Sequence, residues 1–165
     1  MSGTHRITSW LLARHPPLWR QVPAYTLVAM VAAALFIMLA YGVVLAFGGK
    51  PELLSRGTPD VSLSGIFGTV VFAPVTETLL LAVLLWLLRK ASSKRLFVAV
   101  VSGLVWGAAH AALGVFSFFG TTPEFFVFSC AYMAWREVSF GRAFLAAATP
   151  HALINSLALA LVAVT

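Results

Sequence analysis

Four residues, Glu77, His110, His151 and Asn155, are the polar groups able to do chemistry in a chain built mostly of apolar runs. Glu77 is the only carboxylate in the 28 residues from Val61 to Leu88, a stretch long enough to cross a bilayer. An ionised carboxylate near the centre of a lipid core costs about 2.5 to 3.5 kcal/mol on insertion scales, so its retention points to function. His110 stands in Trp106-Gly-Ala-Ala-His-Ala-Ala-Leu-Gly, where small residues let another backbone come close. His151 opens His-Ala-Leu-Ile-Asn, and the four-residue spacing puts His151 and Asn155 on one helix face. One acid and two imidazoles meet the minimum for activating water. Glu77 can take a proton from water that His110 orients, while His151 and Asn155 donate hydrogen bonds to the oxyanion of a tetrahedral intermediate.

Each residue also has a purely structural explanation. Pro74 stands three residues before Glu77 in Ala73-Pro-Val-Thr-Glu-Thr. A proline inside a helix removes one backbone bond, so the helix is expected to kink or loosen there, leaving the Val70 carbonyl without its usual donor. Irregular backbone is tolerated in a membrane where it faces protein or a water-filled cavity, which is also where Glu77 can be solvated. The structural alternative is a kink in which a protonated Glu77 bonds a neighbouring helix. A lone His110 would be a satisfied interhelical bond, but a second histidine on another helix raises the weight of both.

The elements that must position these groups follow from composition and charge. Of 165 residues, 61% are hydrophobic and 10% charged, with a mean hydropathy of +0.96, which takes the chain out of the soluble globular class. The net charge of +6 resides in basic residues that flank apolar spans, and no base-reading or phosphate-binding motif supports a nucleic-acid partner. Cys130 is the single cysteine, so no intrachain disulfide can form. Apolar windows near 26–48, 61–88, 96–119 and 143–164 have the length of transmembrane helices. A fifth, near 121–136, is uninterrupted only from Phe125 to Trp135.

Charge decides how the fifth is read. The loop at 89–95 holds Arg89, Lys90, Lys94 and Arg95 and belongs in the cytoplasm, whereas the loop at 49–60 balances Lys50 and Arg56 against Glu52 and Asp60. With the Arg-bearing N-terminus and the Arg136–Arg142 loop also inside, the spans alternate only if the short segment crosses. The expected architecture is therefore an all-α polytopic membrane bundle of about five helices, N-terminus in and C-terminus out. Residues 25–165 form one transmembrane domain, preceded by an interfacial or flexible segment at 1–24 that carries Trp10, Trp19, Pro16 and Pro17 and lacks the pattern of a signal peptide. At about 1.5 Å rise per residue, Glu77, His110, His151 and Asn155 lie on the order of 18, 22, 12 and 18 Å from the cytoplasmic ends of their helices and can meet near the midplane.

The order and context of these residues resemble the CPBP family, also called Abi, which contains type II CAAX prenyl endopeptidases and bacteriocin-processing or immunity proteins. Ala73-Pro-Val-Thr-Glu77-Thr-Leu-Leu-Leu-Ala82 follows the family motif A-P-x-x-E-E-x-x-x-R through its first acid; Trp106 and His110 match its aromatic-to-His motif; His151 to Asn155 match H-x-x-x-N. The resemblance covers roughly residues 60–160. It implies an intramembrane endopeptidase of the glutamate type in a bacterial cytoplasmic membrane, with Glu77 and His110 activating water and His151 and Asn155 supporting the oxyanion. Its substrate would be a membrane-anchored protein or peptide. Metal dependence is an older proposal for the family, but no compact zinc signature such as H-E-x-x-H occurs, and no metal or cofactor is expected.

Thr78 and Ala82 depart from the motif together, so the second Glu and its Arg partner are both missing. Losing both members of a buried pair leaves no uncompensated charge. That is compatible with a working protease, and equally with an inactive immunity factor or membrane scaffold that binds another membrane protein. A third reading makes Glu77, His110 and His151 a proton relay, although the inverted repeat common in secondary transporters is absent. The aromatic cluster of Phe116, Phe118, Phe119, Phe125, Phe126 and Phe128 can line a lipid-like groove or serve as ordinary packing surface.

Overall fold

The computed structural model describes residues 3–50 and 60–163. The loop at 49–60, with Lys50 and Arg56 set against Glu52 and Asp60, falls for the most part outside the described residues. The described chain is all helical: α1 Gly3–Leu11, α2 Leu18–Ala46, α3 Leu63–Phe67 continuing through a π-helical turn Gly68–Phe72 into α4 Ala73–Ala91, α5 Arg95–His110, a 3₁₀ turn Ala111–Leu113, α6 Val115–Arg136 and α7 Phe140–Ala163. Among the described residues, four stretches are long and apolar enough to cross a membrane: Leu18–Ala46, Leu63–Ala91, Arg95–Leu113 and Phe140–Ala163. The molecule is an integral membrane protein built as a polytopic helical bundle.

Named contacts fix the directions of the helices. Ser102 pairs with Ser129 and Arg95 with Glu137, while Gly107 abuts Phe118 and Thr122, so α5 and α6 run antiparallel. Trp135 bonds Gln21 near the start of α2, and Ile37 approaches Gly120, so α2 and α6 are also antiparallel. Thr69 meets Asn155 and Glu77 faces His151, which sets α3–α4 against α7 in the same sense. The five long elements therefore alternate. Arg14, Arg20, Arg89, Lys90, Lys94, Arg95, Arg136 and Arg142 all gather at one end of the bundle.

α6 is the central helix, with 13 of its 22 residues buried. A helix sheltered by its neighbours need not be apolar toward lipid, and α6 accordingly carries Ser117, Thr121, Thr122 and Glu124, which is why an apolar scan finds it short. Its start also departs from the apolar windows. Those windows place a break near residue 120, whereas α5 ends at His110 and α6 begins at Val115. The chain reverses at Gly114, with φ 125° and ψ 151°, a conformation open to glycine alone at low cost. Hydropathy cannot register that reversal because the residues on both sides of it are apolar.

Close approach of α5 to α6 depends on Gly103 and Gly107. A Cβ on Gly107 would lie 1.9 Å from Thr122 Oγ1, and one on Gly103 2.6 Å from the Thr122 carbonyl oxygen. α2 begins at Leu18, ahead of the apolar window that starts at 26, and its first turns hold buried Gln21, Val22 and Tyr25. α1 covers this end of the core with Leu11. At the opposite end, Ser62 caps α3 by accepting from the Gly65 N–H at 3.1 Å. Asp60 accepts from the Ser62 N–H at 2.9 Å, a bond that holds its carboxyl below the usual carboxylate range.

Candidate active site

The π turn and Pro74 shape the approach to Glu77. Within Gly68–Phe72 the backbone bonds reach five residues back, as the Ala73 N–H bonded to the Gly68 carbonyl shows. Such wide turns recur at functional sites because they change the phase of the helix that follows. The loosening expected at Pro74 is present, and the carbonyl that takes a side-chain donor is that of Thr69, five residues before the proline. Asn155 Nδ2 donates to it at 2.8 Å.

Glu77 then faces two histidines from two other helices. Its Oε2 lies 3.7 Å from His110 Nε2 and 3.9 Å from His151 Nε2. Both separations exceed direct hydrogen bonding but suit a bridging water or a substrate atom. The three side chains are 21%, 20% and 8% exposed, so the acid and His110 can be reached while His151 forms the inner wall. His110 Nδ1 lies 2.9 Å from the Trp106 carbonyl oxygen, which can only accept. That acceptor assigns a proton to Nδ1, and Nε2 is the ring nitrogen that faces Glu77. Glu77 Oε2 and His151 Nδ1 are buried without a hydrogen-bond partner among the described residues.

Aromatic rings hold the imidazoles. Phe125 stacks on Trp106 at 4.3 Å and stands 5.9 Å from His110 and 5.5 Å from His151, ring centre to ring centre. Phe128 stacks on His151 at 5.2 Å. The phenylalanine cluster thus divides: Phe125 and Phe128 are buried around the histidines, and Phe116, Phe118, Phe119 and Phe126 stay partly exposed. Helical phase sets Phe116, Phe119 and Phe126 apart from Phe125 and Phe128, but it puts Phe118 on the face of Phe125, and only the packing of the bundle leaves Phe118 partly exposed.

Of the four expected residues, the fold brings Glu77, His110 and His151 around one point. Asn155 is one turn further along α7, and one of its amide hydrogens is engaged by Thr69. Thr78 is buried at 2% exposure beside Glu77, and Ala82 lines a groove of about 850 Å³ between α4 and α6. Leu79, Trp86, Tyr132 and Met133 share its wall, with Arg89, Arg95 and Arg136 at the basic end. Among the described residues, no group of three or more His, Cys, Asp or Glu is disposed to hold a metal ion.

No curated protein and no solved structure matches the chain. A family model does: the one described as type II CAAX prenyl endopeptidase Rce1-like matches residues 59–157, more than half of the chain and every residue of the site. With the acid on α4 and the two histidines on α5 and α7 inside that match, the chain belongs to the Rce1-like family of type II CAAX prenyl endopeptidases.

Proposed function

We propose that the protein is an intramembrane endopeptidase that hydrolyses a peptide bond of a membrane-anchored protein or peptide. The reading rests above all on two imidazole nitrogens, from α5 and α7, that face one carboxylate oxygen of α4 at 3.7 and 3.9 Å. Ionised Glu77 accepts one proton of a water molecule, and Nε2 of neutral His110 accepts a hydrogen bond from the other, which aims the oxygen lone pair at the scissile carbonyl. The oxygen bonds to the carbonyl carbon. His151, protonated at Nε2, donates to the resulting oxyanion, with the second amide hydrogen of Asn155 available beside it. Collapse breaks the C–N bond as Glu77 passes its proton to the leaving nitrogen, giving a carboxylic acid and an amine.

The groove fits the anchored character of such a substrate. Its apolar wall carries Leu79, Ala82 and Trp86 of α4, on a face of the helix other than that of Glu77, and its arginines stand where lipid headgroups meet the bundle. The basic end faces the cytoplasm, with the N-terminus inside and the C-terminus outside, in a bacterial cytoplasmic membrane.

A second reading is an inactive member that binds another membrane protein, favoured by the buried Thr78 and by Ala82 where the family motif has a Glu and an Arg. Purified protein reconstituted with membrane-anchored peptides separates the two. Cleavage that falls by about 10² to 10⁴-fold in both Glu77→Gln and His110→Ala supports the protease. Equal cleavage by all three proteins sinks it, and a cellular phenotype that survives Glu77→Gln but not depletion favours the binding protein.

A further inference from the structure

Pro74 breaks a hydrogen-bond ladder that is already in the π register. The Ala73 N–H reaches Gly68, so the next bond of the series would run from residue 74 to the Thr69 carbonyl. Proline has no N–H to make it. The place is taken from another helix, by Asn155 Nδ2 at 2.8 Å. One turn earlier on the same face of α7, His151 stands across from Glu77. The segment from Thr69 to Glu77 is thus bracketed by two side chains of α7 that are themselves one turn apart.

We propose that Asn155 is a positioning residue for Glu77, completing the open π turn ahead of Pro74 and so setting the rotation at which Glu77 leaves α4. The inference rests on the proposed site and refines it. A π turn holds about one residue more than an α turn, and losing it rotates the following helix by about 100° relative to the preceding one. A rotation of even part of that size carries Glu77 Oε2 away from both imidazoles. Asn155 acts through the backbone of α4, because the atom it holds is a carbonyl eight residues from the acid.

Position 74 offers a test in which an N–H is put back. Full-length protein labelled with ¹⁵N-histidine is purified in micelles, and the imidazole resonances of His110 and His151 are assigned with single His→Gln variants. Asn155→Leu, which removes the donor, and Asn155→Asp, which replaces it with an acceptor of the same shape, are expected to move both sets of resonances. Pro74→Ala/Asn155→Leu is expected to return them, since an alanine in place of the proline supplies the N–H that reaches Thr69, and Pro74→Ala alone is expected to stay near the native positions. Resonances unmoved by Asn155→Leu and Asn155→Asp, or left displaced in the double variant, overturn the proposal. This readout involves no cleavage, so it stands apart from failure of the protease reading. Where a cleaved peptide is in hand, Asn155→Leu is expected to lose about 10²-fold in kcat by misplacement, with most of it regained in the double variant. An asparagine that serves only the oxyanion would show no such rescue.

Discussion

Two clusters of buried polar groups lie at different heights in this bundle and are treated in opposite ways. At the basic end, Gln21 uses both ends of its amide: its oxygen accepts from Trp135 Nε1 at 3.0 Å and the His15 N–H at 3.1 Å, and its nitrogen donates to the Ala13 carbonyl at 2.9 Å. Tyr25 adds a long bond from its hydroxyl to the Leu11 carbonyl at 3.4 Å. Together they fasten the N-terminal segment to the end of α6. In the site, Glu77 Oε2 and both facing imidazole nitrogens are drawn together without closing a direct bond. A polar group whose bonds are complete stabilises one arrangement, whereas one held near its partners with capacity to spare can bind and turn over something else. The contrast separates a closed structural network from an open one, to which the proposed chemistry is assigned, where burial alone would not.

Substitutions can break that contrast from either side. The largest effect is expected from Glu77→Gln, which should remove cleavage by about 10² to 10⁴-fold while thermal unfolding of the purified protein changes little, since no bond of the fold depends on Oε2. Thr78→Glu comes next: at 2% exposure it buries a charge without its partner and should cost about 3 to 5 kcal/mol, measurable as loss of folded protein in detergent. Adding Ala82→Arg to it should recover much of that loss by restoring the motif's pair. Gly107→Val should cost about 1 to 3 kcal/mol through the clash with Thr122 and should lower cleavage as well, because it pushes α5 and His110 away from α6. Gln21→Ala is the converse of Glu77→Gln, expected to cost about 1 to 3 kcal/mol in stability by orphaning Trp135 and the His15 N–H, with cleavage per folded molecule retained. Ser129→Ala should be smallest, about 0.5 to 1.5 kcal/mol, from the lost pairing with Ser102 in the α5–α6 seam. If Gln21→Ala and Glu77→Gln gave the same profile, the distinction between the two networks would collapse.

Much of this was legible along the chain. Glu77 stands out because a lone acid in an apolar span is costly, Pro74 announces irregular backbone before it, and the four-residue spacing of His151 and Asn155 forecasts a shared face. The basic loop at 89–95 and the Arg136–Arg142 segment mark one end of the bundle, and the helix directions agree with that grouping. Less could be read where the controlling contact is long-range. The π register of Gly68–Phe72 is invisible to propensity, since Gly, Thr, Val and Phe would suit an α turn as well, and it shifts attention from the Val70 carbonyl to that of Thr69. The reversal at Gly114 hides inside an apolar run. Gln21 and Trp135, 114 positions apart, carry no mutual signal in a single sequence.

The chain alone, then, carried the class of the molecule, the identity of its expensive polar residues and the charge asymmetry of its ends. Each of these depends on side-chain chemistry and local spacing. Only the packed bundle decided that α6 is its centre, that Glu77 Oε2 faces both imidazoles, and that Asn155 bonds the backbone of another helix. Those facts depend on helical phase and on distances between segments far apart in sequence. A single added residue in one turn rotates everything beyond it, so such relations exist only once the helices are packed together.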